Sequence, residues 1–253
     1  APDGAAVAYV SGAELRAVAE GADRRVIAET GDAVSWGSAE FVAGEEMGRT
    51  RGFWWAPDSR RLLVERVDVS CVDQWWIASP ISPATAPTPV RYPAAGTANA
   101  LVDLAIVDLD GGRLDLDWAV GGWEYLADAT WDDDGIWLTV QDRSQCVTAV
   151  LHVDPTGGSV EEQYRIVDDQ WTELIPGAPA RYDGRLVTVE DRGAARRLCV
   201  DGRALTGDDL QVRRVVHTDA DGVVITASLE PTSTAVGRVS WDGDLEWLTD
   251  HDG

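Results

Sequence analysis

Phe53-Trp54-Trp55-Ala56-Pro57-Asp58-Ser59, running into Leu62-Leu63-Val64, is the phrase that decides the fold. An aromatic strand meets a turn made of Pro, Asp and Ser, and an apolar strand follows. The phrase returns as Ala129-Thr130-Trp131-Asp132-Asp133-Asp134-Gly135 before Ile136-Trp137-Leu138-Thr139-Val140. It returns again as Ala180-Arg181-Tyr182-Asp183-Gly184 before Leu186-Val187-Thr188-Val189, and as His217-Thr218-Asp219-Ala220-Asp221-Gly222 before Val223-Val224-Ile225-Thr226. Asp-Gly between β-branched runs is a strong hairpin signal, because Gly accepts the positive φ that tight turns need. Two further short strands follow each hairpin, as in residues 145–153 and 160–167, or 236–241 and 245–248. Four antiparallel strands per unit, recurring every roughly 40 to 50 residues, predict an all-β chain built as a partial β-propeller.

About four complete four-stranded antiparallel blades are expected, beginning near Met47, Trp123, Leu174 and Leu210. A partial blade precedes them over residues 1–30, with strands at 7–10, 14–18 and 25–28 and no innermost strand. Residues 68–100 hold Pro80, Pro83, Pro87, Pro89 and Pro93, too many for a central strand, and read as an extended Pro-rich arm. The remaining blades occupy residues 101–253. Such a chain is expected to be a segment of a larger ring, whose open edges would pair with a partner, a homodimer included. A short helix is expected over residues 38–47, capped by Ser38, with Phe41 and Val42 as its apolar face.

The chain has 253 residues, 45% of them hydrophobic and 12 of them Trp, which suits a packed globular domain that needs no disulfides. Its 44 acidic residues against 21 basic ones give a net charge of −23. That field repels nucleic acid and anionic bilayers and attracts cationic ligands, so neither nucleic acid nor membrane is an expected partner. Every basic residue other than the three His is Arg, which points to a GC-rich genome. Cys71, Cys146 and Cys199 are odd in number and widely spaced, and each has apolar neighbours. They read as buried free thiols, without a disulfide framework or metal site. No apolar run reaches the length of about 18 residues that a membrane helix needs. A bacterial cytoplasmic location is the expectation.

Glu45 and Glu46 are the candidate binding residues. Adjacent side chains point to opposite faces of a strand and diverge by about 100° on a helix, so only a helical or irregular segment lets both reach one ligand. A peptide's α-ammonium, with pKa near 8, is mostly protonated at neutral pH, and its three donors suit two carboxylates. Two neighbouring anions also repel each other, a strain that a bound ammonium relieves.

Glu45-Glu46-Met47 followed by the Trp-Trp-x-Pro-Asp turn resembles the dipeptidyl peptidase IV family of serine exopeptidases. Arg91-Tyr92-Pro93-Ala94-Ala95-Gly96-Thr97-Ala98-Asn99-Ala100 extends the likeness, being similar to that family's Tyr-Pro-x-Ala-Gly-x-x-Asn segment. Residues 125–131 and 142–145 resemble the blade that follows the arm. The likeness implies a propeller whose Glu pair holds the free amino terminus of peptide substrates, so that cleavage falls after the second residue. It also implies a separate α/β-hydrolase domain of the same polypeptide that supplies the nucleophile. Ala43-Gly44 departs from the bulkier residues of vertebrate members.

Within this chain no Gly-x-Ser-x-Gly elbow occurs, and no catalytic residue, cofactor or metal ligand is nominated. Asp132-Asp133-Asp134-Gly135 and Asp219-Ala220-Asp221-Gly222 lack the Glu of a calcium loop and read as hairpin turns. His152, His217 and His251 lack partners at ligand spacing, and Trp171 reads as a core or rim residue whose role is packing. Two rival readings stand beside the peptidase: a stand-alone propeller that scaffolds protein partners, and a prolyl oligopeptidase or acylaminoacyl peptidase relative that ignores the amino terminus.

Overall fold

The computed structural model describes residues 1–250; His251 lies outside them. The chain divides into two compact units, residues 1–143 with 149–164, and residues 144–148 with 165 onward.

The first sheet has three antiparallel strands, β1 (Ala6–Ser11), β2 (Glu14–Ala19) and β3 (Ala22–Ile27), in the order β1-β2-β3. The second carries the candidate site. It contains β4 (Val34–Trp36), helix α1 (Phe41–Glu46), β5 (Phe53–Trp55) and β6 (Arg61–Asp68). After β6 the chain leaves the sheet as the arm, a hairpin of β7 (Gln74–Ile77) and β8 (Thr88–Arg91), and returns as β9 (Leu101–Asp108) and β10 (Arg113–Leu116). Among the described residues the two arm strands pair only with each other, with Trp76 opposite Pro89, so the missing N–H of Pro interrupts no larger ladder there.

One edge of the second sheet is made from two pieces. β4 pairs with the far end of β6, Trp36 opposite Arg66, whereas β5 pairs with its near end, Phe53 opposite Val64. Glu65 faces the break between them. Its carbonyl accepts from the Gly37 N–H at 2.9 Å and its N–H donates to the Gly52 carbonyl at 2.7 Å. Residues 37–52, with α1 inside them, are therefore an insertion into one edge strand. Sequence reading starts this blade near Met47 and so misses β4, whose three residues are too short to show a period of two.

Three four-stranded sheets follow in simple order. The first has β11 (Tyr125–Asp132), β12 (Gly135–Gln141), β13 (Val147–Val153) and β14 (Val160–Val167). The next has β15 (Ala180–Tyr182), β16 (Arg185–Arg192), β17 (Ala195–Val200) and β18 (Arg203–Ala204). The last has β19 (Gln211–Asp219), β20 (Gly222–Ser228), β21 (Ala235–Val239) and β22 (Leu245–Trp247). With β4 and β5 counted as one broken strand, the chain has the expected all-β architecture of a partial propeller. Asp183-Gly184 turns β15 into β16 with φ of +48° and +75°, the left-handed pair that a two-residue hairpin demands.

Within each unit apolar side chains fill the space between neighbouring sheets. Leu15 and Ile27 meet Trp36, Leu62, Val64, Ala105 and Val107 in the first unit. Val187, Val189 and Leu198 meet Val212, Val223 and Ile225 in the second. The acidic turns serve their hairpins: Asp132 and Asp219 each accept the N–H two residues on, from Asp134 and Asp221, at 2.9 Å.

Several sequence expectations are corrected. Glu40, not Ser38, caps α1, and the helix starts at Phe41, because Ser38 is held in an extended bridge with Arg51. Cys71 is exposed and its thiol donates to the Asn99 carbonyl at 3.1 Å, since the neighbouring Val72 takes the buried position at the base of the arm. Cys146 is half-buried; only Cys199 is fully enclosed, and burial pushes its thiol up to about 11. Trp171, expected in the core or at the rim, is half-exposed in a turn, the rim alternative, where its backbone N–H reaches the Asp168 carboxylate. Among the described residues, no helix is long and apolar enough to cross a membrane.

Candidate functional site

Helix α1 spans six residues and would not persist in isolation, since helices this short lack the bonds to offset nucleation. Tertiary contacts hold it instead. The Glu40 carboxylate accepts the N–H groups of Val42 and Ala43, each at 2.6 Å, satisfying donors that the first turn leaves open. At the other end the Ala43 carbonyl accepts from Met47 and from Arg49, at 3.2 and 3.0 Å. Ala43 itself is fully buried, and its methyl is the helix's point of contact with the interior.

Arg49 fixes the exit from the helix. Its guanidinium is buried and donates to the carbonyls of Leu126 (2.8 Å), Arg51 (2.9 Å) and Ala127 (3.1 Å), and to the Glu65 carboxylate. It also lies over the Trp54 ring at 5.5 Å. Glu65 in turn accepts the Glu40 N–H at 3.3 Å. The insertion is thus bolted to β6 and β11 by one ion pair and a set of charge-assisted bonds. Burial pushes the carboxyls of Glu40 and Glu65 upward; the two helix N–H groups pull Glu40 back, and Arg49 pulls both back. Asp128 is raised for the same reason of burial.

Gly52 closes the insertion by close approach. A Cβ there would stand 2.7 Å from the backbone carbon and oxygen of Ser38, so no larger residue fits without moving the chain.

Glu45 and Glu46 end the helix on its outer side. Both are exposed, and neither has an ion-pair partner among the described residues. Two carboxylates without a cation therefore project from a mount whose own buried carboxylates are paired with Arg49 or capping the helix. Phe41 is one helical turn before Glu45, on the same face. Its ring meets that of Tyr92 edge-on at 5.3 Å, and Tyr92 meets Trp75 of β7 at 5.5 Å. The arm hairpin thus reaches the helix through an aromatic chain.

The other matched segments converge on Glu124, a residue that sequence reading did not single out. Its Oε1 accepts from Asn99 Nδ2 at 2.9 Å and from Arg143 at 2.7 Å, and Asn99 Nδ2 also contacts the Tyr125 hydroxyl at 3.0 Å. Arg143 reaches the Thr97 carbonyl at 2.5 Å. These bonds tie the end of the arm, the start of β11 and the end of β12 into one rigid corner. Arg49, Glu65 and Glu124 were missed because their partnerships are long-range, and Glu40 because Ser38 has the better intrinsic capping propensity. The available signal was an Arg directly after an acidic helix in a chain that has few cations.

Elsewhere the candidates recede. His152 Nε2 bonds the Asp134 carbonyl at 2.9 Å, and His217 stands 3.8 Å from Asp219. Among the described residues no group of three His, Cys, Asp or Glu side chains is placed to hold a metal ion.

The family model for the dipeptidyl peptidase IV (DPP IV) N-terminal region matches residues 1–253. Dipeptidyl peptidase 8 of Mus musculus is 32% identical over 148 residues, covering 49% of this chain and 17% of that protein. The Homo sapiens dipeptidyl peptidase 8 is 30% identical over 176 residues, or 57% of this chain and 20% of the relative. Venom dipeptidyl peptidase 4 of Apis mellifera is 31% identical over 215 residues, 79% of this chain and 27% of its own length. The chain thus spans less than a third of these relatives. In three dimensions it is similar to Porphyromonas gingivalis dipeptidyl peptidase 4, with a TM-score of 0.86 at 19% identity, over 98% of this chain and 38% of that one.

Proposed function

Since this chain belongs to the dipeptidyl peptidase IV N-terminal region family, we propose that it is the substrate-selecting propeller of a serine dipeptidyl peptidase, in which Glu45 and Glu46 hold the free amino terminus of a peptide. One observation carries the reading: two exposed carboxylates with no cation of their own among the described residues stand on a short helix that buried charges hold in place. A ligand ammonium would supply the missing positive charge, with charge-assisted hydrogen bonds to both groups. A rigid mount matters because a fixed anchor sets how much substrate extends toward the nucleophile, and displacement by about 1 Å is enough to cost a large factor in rate. The nucleophile itself would come from an α/β-hydrolase region of the same polypeptide, and this chain would bind without cutting.

The test compares a free-amine dipeptide substrate with its N-acetylated form in the complete polypeptide. Free-amine turnover should exceed acetylated turnover, and Glu45→Gln or Glu46→Gln should each lower kcat/KM for the free amine by roughly 10- to 100-fold, the loss of one charged hydrogen bond of about 1.5–3 kcal/mol. Equal rates for both substrates in every variant refute the clamp.

A scaffold for protein partners is the second reading, favoured by the exposed Trp76, Ile77 and Ile81 of the arm. A polypeptide that releases no dipeptide yet binds partners through these residues would support it.

A further inference from the structure

The turns at one end of the first two sheets enclose a cleft of about 590 Å³ in which the Glu pair has no part. Glu20 comes from the β2–β3 turn, Ser59 and Arg60 from the β5–β6 turn, and Asp108 and Asp110 from the β9–β10 turn. Arg24 of β3 completes the wall. From this end β6 runs 8 residues to the base of the arm, roughly 23 Å of strand away. Five of the side chains named carry a charge, and among the described residues none of the five is in an ion pair. Arg24 stands opposite Ala17 in the β2–β3 ladder and so shares its face, the face on which Leu15 packs against the second sheet. Its guanidinium is half-buried without a partner, whereas its neighbour Arg25 is paired with Glu14 at 2.6 Å. In a chain with 44 acidic residues to 21 basic ones, a half-buried cation left unpaired stands out. Ser59 adds a separate sign. Its φ of +59° lies in the left-handed region that favours Gly, a strained setting for a side chain. Its Oγ accepts the Asp3 N–H at 3.1 Å, and its own O–H has no acceptor among the described residues.

We propose that this cleft binds a small zwitterion of the free-dipeptide class, remote from Glu45 and Glu46 and independent of what they hold. Its carboxylate would lie on Arg24, Arg60 and the Ser59 hydroxyl, and its ammonium on Glu20, Asp108 and Asp110. The charge pattern selects this occupant. Opposite charges that line one cleft yet stay beyond the roughly 4 Å of an ion pair leave a gap that a ligand carrying both signs can bridge. An extended dipeptide separates its ends by up to about 7 Å, more than that gap requires. A simple anion meets three carboxylates against two guanidiniums, and a simple cation leaves Arg24 without a partner. A ligand with one charge of each sign gives both sets a charge-assisted partner.

Isothermal titration calorimetry on the complete polypeptide tests this, with Gly-Ala, N-acetyl-Gly-Ala and Gly-Ala amide as the probes. Every protein in the series carries Glu45→Gln with Glu46→Gln, so that the proposed clamp is silent and only the cleft reports. Gly-Ala should bind, and blocking either of its ends should weaken binding by at least tenfold, the loss of one charge-assisted interaction. Arg24→Gln should weaken Gly-Ala binding by about the same factor. Arg60→Gln changes an exposed side chain that packing does not need, and should weaken it by about threefold. Absence of Gly-Ala binding overturns the proposal, as does equal affinity for the acetylated form, since the cleft would then read an anion alone. An affinity unchanged in both Arg24→Gln and Arg60→Gln overturns it too, because the dipeptide would then sit elsewhere.

Discussion

The two sides of the insertion between Gly37 and Gly52 treat their glutamates in opposite ways. On the inner side, Glu40 and Glu65 are buried; Glu65 is paired with Arg49, and the Glu40 carboxylate caps the helix start. On the outer side, Glu45 and Glu46 are exposed and have no cation among the described residues. Charges that a fold pairs internally tend to hold a shape, whereas the outer pair is where the proposed ligand ammonium would bind. The same residue type, five positions apart, thus has two settings, told apart by burial and pairing.

Breaking the inner side should have the largest effect. Arg49→Met leaves the Glu65 carboxylate buried without its cation and should cost about 3–5 kcal/mol, measurable by denaturant unfolding. Adding Glu65→Leu to that variant should recover much of the loss; if the single and double variants are equally unstable, the ion pair is not what matters. Gly52→Ala comes next. Its methyl meets Ser38 backbone at 2.7 Å, and displacing the chain should cost about 1–3 kcal/mol.

A smaller effect concerns acidity. Burial raises the Glu40 carboxyl above its ordinary range, so the folded state binds its proton more tightly than the unfolded chain does. The stability tied to that proton is complete below the unfolded pKa of about 4.3 and is lost as pH rises through the folded value. Glu40→Gln mimics the protonated form. Wild type should therefore lose stability relative to Glu40→Gln as pH rises above the unfolded pKa of about 4.3 in thermal melts, and a constant difference would contradict the assignment. Smallest of all is the outer pair. The double change Glu45→Gln with Glu46→Gln should leave unfolding free energy within about 0.5 kcal/mol of wild type, and a larger loss would make these residues structural.

Much of this was legible in the chain itself, and the gaps have physical causes. Hairpins announce themselves because Asp183-Gly184 or Asp132 to Gly135 are local turns with local chemistry. The outer Glu pair was legible for the same reason, since two adjacent anions need no fold to be noticed. The cap at Glu40 was not, because Ser38 has the better intrinsic propensity and loses it only when Arg51 recruits it into a bridge. Nor was the Arg49 to Glu65 pair, or the corner where Asn99 and Arg143 meet Glu124, because each joins strands brought together by the sheet. The broken edge strand was hidden by length, three residues in β4 and three in β5.

That broken edge has an evolutionary corollary. Because β6 runs unbroken past Glu65 and is paired on both sides of it, the register of the blade does not depend on how many residues separate Gly37 from Gly52. The stretch between those glycines is a replaceable cassette: relatives could lengthen, shorten or rewrite it to suit a different ligand, while the ladder that supports it keeps every partner.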